Sequence, residues 1–194
     1  MPSKSILPRG FKAEAERLAE KYREELGVSK FSPLNAHTLA DHLSVQIFTV
    51  DELFVNQDCD AYHRMSDPQK FSAMWIVNQK GEKLVIHNDR HSTFRQQSNL
   101  MHELAHIIRK HTVPDEQAKL CAKLGLHYYN LLHEQEAKYL GGCLQITRAG
   151  LQWALKNSYS PEEISEYYNA SVEMVKYRIG ITGVQKQLAY RGIN

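Results

Sequence analysis

Residues 92–110, STFRQQSNLMHELAHIIRK, decide the fold, because they read as one long helix with the motif HELAH at residues 102–106. Positions i and i+4 of a helix share one face, so the imidazoles of His102 and His106 can point at one metal ion. Glu103 then lies beside that ion. The stretch predicts a helix that carries half of a metal site, the alternative being a surface helix with two stray histidines.

The HExxH spacing predicts a definite chemistry. A zinc ion held by His102 and His106 lowers the pKa of a bound water molecule towards neutrality. Glu103 can take the proton of that water during attack on a peptide carbonyl, and can return it to the leaving amine.

A catalytic zinc site needs a third protein ligand, and several downstream residues are candidates. They are Asp115, Glu116, His127, His133, Glu134 and Glu136. On a helix, Glu134 and Glu136 are about 200° apart, so at most one of them can face the metal. Spacing alone does not choose among the candidates. The predicted helix that carries Glu134 and Glu136 also contains Gly141 and Gly142, and these small residues would let it approach the HExxH helix closely.

Outward from the motif, apolar periodicity and turn residues predict the remaining elements. Two strands at 72–78 and 83–87 form a hairpin with a four-residue turn, a further strand covers 45–50, and most of 51–71 is loop. Helices are predicted at 11–26, 36–43, 115–124, 129–146, 148–157, 161–168 and 172–181.

The predicted fold class is α+β. A small, mostly antiparallel sheet packs on a zincin-like HExxH helix, and a helical, helix-turn-helix-like C-terminal part follows. No linker divides the chain, so a metallopeptidase domain (1–147) and a helical subdomain (148–194) are expected to form one compact unit.

Composition excludes several classes of protein. The 194 residues are 42% hydrophobic and 24% charged, which is ordinary for a globular domain. No apolar run approaches the roughly 18 residues of a membrane span, and the N-terminus has no signal-peptide core. Three widely spaced cysteines indicate a reducing cytoplasm rather than a disulfide framework. The net charge of +2 does not indicate nucleic-acid binding.

Four segments, in order, resemble the ImmA/IrrE metallo-endopeptidases: residues 10–27, 86–111, 134–146 and 160–184. The resemblance implies that His102 and His106 are zinc ligands, that Glu103 is the catalytic base and acid, and that Glu134 is the third ligand. The family's Tyr-Arg pair falls on Tyr177 and Arg178, which makes them candidate oxyanion stabilisers. Tyr128 and Tyr129 are weaker candidates.

The same resemblance implies a function and a cofactor. Each chain would hold one Zn²⁺, a site that Mn²⁺ could also occupy, and the shorter ImmA-like branch fits best. Such enzymes cleave a helix-turn-helix repressor and so release stress-response or mobile-element genes. The chain departs from the family pattern at residues 138–141, Lys-Tyr-Leu-Gly, and at Thr147.

Two alternatives remain open. One is a DNA-binding regulator that uses residues 161–181, where Ser160 and Pro161 mark a clear helix start. The second helix of that pair has no basic stripe, which argues against DNA binding. The other is a non-catalytic zinc protein that sequesters a repressor or a toxin.

Two smaller expectations concern the surroundings of the motif. His111 lies nine residues beyond His102, about 180° round the helix, and is expected to face solvent. The mostly apolar strand at 72–78 is expected to offer an edge on which an extended substrate could bind by strand addition.

Overall fold

Residues 6–112, 130–190 and 192 of the chain are described by a computed structural model. They form a mixed α+β structure, made mostly of helices, with a small three-stranded sheet. In chain order the elements are α1 (Phe11–Glu25), α2 (Ala36–His42), β1 (Val45–Thr49), α3 (Val50–Leu53), α4 (Asp60–Ser66), β2 (Ala73–Val77), β3 (Lys83–His87), α5 (Thr93–Ile108), α6 (Leu131–Gln145), α7 (Arg148–Lys156), α8 (Pro161–Tyr168), α9 (Val172–Thr182) and α10 (Val184–Tyr190). The α+β fold class is confirmed.

Short polar side chains begin several of the predicted helices by accepting backbone N–H groups that have no partner within the helix. Asn35 accepts from the first turn of α2, and Ser171 accepts from the N–H of Met174 in α9. Ser160 and Glu163 form a capping box at the start of α8. These local signals explain why the predicted helices 36–43, 161–168 and 172–181 are confirmed to within a residue.

The sheet has the strand order β1-β3-β2, and its pairing corrects the expectation of a mostly antiparallel sheet. The hairpin β2–β3 is antiparallel as predicted, with Trp75 opposite Val85. In contrast, β1 runs parallel to β3, with Ile47 opposite Val85. The two strands of the parallel pair are separated in the chain by α3, α4 and β2, the kind of crossover that parallel pairing requires.

The prediction that most of 51–71 is loop is wrong, because α3 and α4 lie there. A capping box begins α3: the N–H of Thr49 donates to Glu52 Oε2 at 2.7 Å, and the N–H of Glu52 donates to Thr49 Oγ1 at 3.1 Å. Among its residues α4 buries none, so it has no apolar periodicity for a sequence reading to detect.

The main core lies where α5 and α1 pack on α6, and α5 also packs on the sheet. Gly141 lies against the backbone of α5, because a Cβ atom there would lie 3.1 Å from the carbonyl oxygen of Met101. The two helices therefore meet backbone to backbone. Buried residues of this core include Leu39, Val85, Leu100, Leu104, Ala137, Leu140 and Leu144.

A second apolar cluster joins the C-terminal helices. It is formed by Ile146, Leu151, Ala154, Ile164, Tyr168, Ala170, Val175, Val184 and Leu188. The predicted helix at 148–157 is confirmed, while α10 was not predicted: its buried residues are only Val184 and Leu188, too few for a clear pattern. The division into units 1–147 and 148–194 stays a prediction.

Some predictions fall outside the described residues. They are the helix at 115–124, the first residue of the helix at 129–146, and the candidates Asp115, Glu116, His127, Tyr128 and Tyr129. Within the described ranges, no helix combines the length and the apolar character that crossing a membrane requires.

Candidate metal centre

Two helices bring together three side chains that could bind a metal ion. One turn of α5 separates His102 from His106, and their Nε2 atoms lie 3.1 Å apart. The first turn of α6 contributes Glu134, whose Oε2 lies 3.3 Å from His102 Nε2 and whose Oε1 lies 3.4 Å from His106 Nε2. That first turn is fixed by Asn130, which accepts the N–H groups of residues 132 and 133.

These separations fit a metal ion. Ligand atoms held 2.0–2.1 Å from a tetrahedral zinc lie roughly 3.3 Å from one another. The distances between the imidazole and carboxylate atoms of His102, His106 and Glu134 are close to that value. In the part of the chain that the structure describes, these residues are the group of three that could hold a metal. Two histidines and one glutamate are a ligand set of catalytic zinc sites.

The orientation of α6 separates Glu134 from the neighbouring candidates. Glu136 faces away from the ligand cluster, with its Oε2 3.1 Å from Arg109 Nε and 3.0 Å from His111 Nε2. The ring of His133 stacks on that of His111, with centroids 4.1 Å apart and planes 4° apart. The structure thus brings Glu134 to the two histidines, and it places Glu136 and His133 elsewhere.

Glu103 lies next to the ligands but is held by the sheet. Its Oε2 accepts the N–H of Trp75, in β2, at 3.1 Å. Burial raises the pKa of Glu103 to about 7, and the negative charge of Glu134 acts in the same direction against the opposing effects of His102 and the Trp75 N–H. A carboxylate with a pKa near neutrality suits an acid–base role.

His106 and Glu134 favour the protonation states that can bind a metal ion. Burial lowers the pKa of His106, which keeps its imidazole neutral. The hydrogen bond from His102 lowers the pKa of Glu134, which keeps its carboxylate ionised. Neutral imidazole and ionised carboxylate are the forms that a metal requires.

The expectation that His111 faces solvent is wrong, because His111 is buried. The helical extrapolation fails since α5 ends at Ile108, and Lys110 then takes a left-handed conformation with φ +54°. This turn brings His111 back onto the helix, where its Nδ1 lies 2.9 Å from His106 Nδ1. Sequence reasoning missed this contact; the signal was the presence of three histidines within ten residues.

The structure does not bring Arg178 to the ligand cluster. Its side chain is fully buried, and its Nε donates to the carbonyl of Ile146 at the far end of α6. Ile146 is twelve residues from Glu134, roughly 18 Å along the helix axis. Tyr177 lies beside α6, with Lys138 Nζ 4.9 Å from its ring centroid. An oxyanion role for Tyr177 stays a prediction.

The fold and the cluster define a mixed α+β protein that has an HExxH helix and a three-residue site able to hold a metal. Residues 56–180, more than half of the chain, match the family model Peptidase_M78, described as the IrrE N-terminal-like domain. The chain belongs to this family, and the resemblance found in the sequence is confirmed.

A solved structure is also similar in fold, with a TM-score of 0.54 and 13% sequence identity: a Mycobacterium tuberculosis transcriptional regulator. The match covers 89% of this chain and 47% of the other, so the chain spans about half the length of that protein. No curated protein matches the chain.

Proposed function

We propose that the protein is a zinc-dependent endopeptidase with a zincin-like fold, and that it cleaves a helix-turn-helix transcriptional repressor to derepress stress-response or mobile-element genes. One observation carries the peptidase part: His102, His106 and Glu134 converge on one point, with the separate carboxylate of Glu103 beside it. The repressor as substrate is supported by the family resemblance. The cytoplasm, where such repressors act, is the proposed location.

In this proposal His102, His106 and Glu134 hold the metal. The chemistry that zinc supplies in such a site is activation of water near neutral pH. Glu103 is not among the ligands, so its carboxylate is available to accept the proton of the attacking water. Its pKa of about 7 also allows it to give that proton to the leaving amine.

The outer edge of β2, on which no further strand pairs within the described ranges, is the proposed place for the substrate backbone. In antiparallel pairing, alternate residues turn their backbone groups to the partner strand and to the outer edge. The N–H of Trp75 points to Glu103, and Asn88 N–H donates to Ser72 O across the hairpin. Ala73, Trp75 and Val77 therefore face the outer edge. Glu103 occupies the N–H of Trp75, so an extended peptide would pair with the other outward backbone groups of this edge, beside the catalytic carboxylate.

The proposal is tested by incubating the zinc-loaded protein with a proteome-derived peptide library and identifying new termini by mass spectrometry. Glu103→Gln is the matched control, because it keeps both imidazoles and Glu134. We expect cleavage by the native protein and a loss of roughly 10²–10⁴-fold in the variant. Equal cleavage by the two proteins would contradict the assigned role.

The substrate class is tested next with helix-turn-helix repressors from the same genome. Cleavage at one site in one repressor is the expected result. Binding that survives Glu103→Gln and leaves the repressor uncut would instead favour the sequestering alternative.

The proposed role of the β2 edge has its own test. N-methylation of the substrate backbone next to the scissile bond is expected to slow cleavage.

Direct DNA binding is the weaker alternative. The second helix of the pair, α9, carries Arg178, but that side chain is buried, and the exposed Lys176 lies near the exposed Glu173. Such a surface neutralises few phosphates. A duplex-binding titration at increasing salt tests this, and tight binding with a steep salt dependence would revive the alternative.

A further inference from the structure

A series of hydrogen-bonded side chains leads away from the cluster of His102, His106 and Glu134. It starts at Nδ1 of His106, the ring nitrogen that does not face Glu134. His106 Nδ1 lies 2.9 Å from His111 Nδ1, and His111 Nε2 lies 3.0 Å from Glu136 Oε2. Arg109 Nε donates to that same oxygen at 3.1 Å, while Arg109 Nη1 donates to Glu14 Oε1 at 2.8 Å. His106, His111 and Glu136 are all buried.

One placement of the protons gives each of these hydrogen bonds a donor and an acceptor and leaves His106 Nε2 free for a metal. A neutral imidazole has one N–H donor and one acceptor nitrogen. If the lone pair of His106 Nε2 faces the metal site, its Nδ1 carries the proton and donates to His111 Nδ1. The proton of His111 is then on Nε2, where it donates to the carboxylate of Glu136. Reversing the chain would place the His106 proton on Nε2, where it would block metal binding.

The carboxylate sets the direction of the chain. Glu136 accepts hydrogen bonds but cannot donate when ionised, so the nitrogen of His111 that faces it must carry a proton. Arg109 keeps this carboxylate in place from the other side, and the ion pair with Glu14 fixes Arg109. Arg109, itself held by Glu14, therefore keeps Glu136 where it determines the tautomer of His111.

We propose that His111 and Glu136 are positioning residues for the metal, which fix His106 in the tautomer and ring orientation that present Nε2 to the ion. A partner on the second nitrogen of a ligating histidine also raises its basicity. The inference rests on the proposed metal centre. Here the usual single carboxylate partner is replaced by an imidazole that connects ligand and carboxylate.

The two ligand histidines differ in this respect. Within the described ranges, His102 Nδ1 has no hydrogen-bond partner, and its side chain is 30% exposed against 9% for His106. The hydrogen bonds through His111 and Glu136 therefore act on His106. Substitutions of these two residues should affect His106 and leave His102 unaffected.

The test measures zinc affinity by competition with a chromophoric chelator in the native protein and in His111→Leu. We expect the variant to bind zinc about 10–100-fold more weakly, as is typical when the outer partner of a ligand is removed. His111→Asn, whose side-chain oxygen can accept the His106 Nδ1–H, should recover part of the loss. His133→Leu is the matched control, because the ring of His133 stacks on that of His111, while within the described ranges its hydrogen bond to Asn130 comes from the backbone N–H, which the substitution keeps.

A second readout observes the tautomers directly. In zinc-loaded protein labelled with ¹⁵N-histidine, long-range ¹H–¹⁵N spectra should show His106 protonated at Nδ1 and His111 protonated at Nε2. Glu136→Gln can still accept from His111, so it should keep these tautomers with a smaller loss of affinity. This variant and the native spectra decide the matter even where His111→Leu is unstable.

The outcomes separate the two proposals. A native protein that binds no zinc would overturn the metal centre, and this inference with it. Native protein and His111→Leu with equal zinc affinity, or a His106 that lacks the Nδ1 proton in the zinc-loaded protein, would overturn only the positioning role.

Discussion

The two ends of α6 make different contacts. At its start, the carboxylates of Glu134 and Glu136 contact histidines. At its last turn, backbone carbonyl groups accept hydrogen bonds from the guanidinium groups of Arg23 and Arg178. The side chain of Glu134 is 34% exposed, and both arginines are fully buried. One helix therefore serves two purposes. At its start Glu134 remains partly exposed for chemistry, and we call this the accessible end. Its last turn, residues 142–146, is buried in the fold, and we call this the sealed end.

The sealed end satisfies carbonyl groups that have no partner within the helix. Arg23 donates to the carbonyls of Leu144 and Gln145 at 2.9 and 3.2 Å. Arg178 donates to the carbonyl of Ile146 at 3.0 Å and to Glu16 Oε1 at 2.5 Å. Positive charge at a helix C-terminus is also favourable to the helix dipole. These bonds join α1, α6 and α9 in one buried network.

We expect the largest effect from a substitution that disrupts only the accessible end of α6. Glu134→Ala removes one of three ligands, so zinc affinity should fall by more than about 100-fold, beyond the range for an outer partner, and cleavage should fall to background. The metal-free variant should unfold at the same urea concentration as the metal-free native protein, because Glu134 is partly exposed. Zinc titration and urea unfolding check this. A large loss of metal-free stability would show that the two ends are not separable.

We expect the second largest effect from a substitution that disrupts the sealed end of α6. Arg178→Met leaves the carboxylate of Glu16, 16% exposed, without its cation. We expect a loss of about 3–5 kcal/mol in the free energy of unfolding, measured by urea titration. The double variant Arg178→Met, Glu16→Leu should recover part of this loss, because no buried charge then stays unpaired. Zinc affinity of the folded protein should change little, in contrast to Glu134→Ala.

The third effect is smaller and acts between the two ends. A Cβ atom on residue 141 would lie 3.2 Å from the backbone nitrogen of His102, and backbone atoms cannot move aside cheaply. Gly141→Ala should therefore cost about 1–3 kcal/mol of stability and weaken zinc binding by separating α5 from α6. Gly180→Ala is the matched control, because Gly180 lies in α9 with nothing within 4 Å of its added Cβ. It should leave zinc binding unchanged.

The smallest effect concerns two thiols. Cys143 is fully buried in the sealed end, and burial raises its pKa far above the usual range, whereas Cys59 is half-buried at the start of α4. Iodoacetamide at pH 8 should modify Cys59 before Cys143, as read by peptide mass spectrometry. Arg178→Met should speed the modification of Cys143. An unchanged rate in that variant would indicate that Arg178 does not seal this end.

The sequence could predict what depends on neighbours along the chain. The HExxH helix and the caps at Asn35 and Ser160 are local signals, and they were found. The parallel pairing of β1 with β3 was not, because it depends on segments far apart in sequence. The helix α4 buries no residue, so no apolar pattern marked it.

At the candidate site, spacing identified His102, Glu103 and His106 but left the third ligand open. The choice between Glu134 and Glu136 depends on how α6 is rotated about its axis. That rotation is fixed by contacts such as Gly141 against α5, which spacing does not describe. The family resemblance indicated Glu134 because it carries this tertiary information. The return of His111 after Lys110 depended on where α5 ends, and helical extrapolation missed it.

The sealed end of α6 also has a consequence for the order of events during protein synthesis. Glu16 and Arg178 are 162 residues apart in the chain, and Arg23 and Leu144 are 121 residues apart. A nascent chain that has exposed α5 and α6 outside the ribosome has the three proposed metal ligands, but it still lacks Arg178. The contacts at the last turn of α6 are complete only once α9 has emerged, so the three proposed metal ligands are available before this end of the helix is closed.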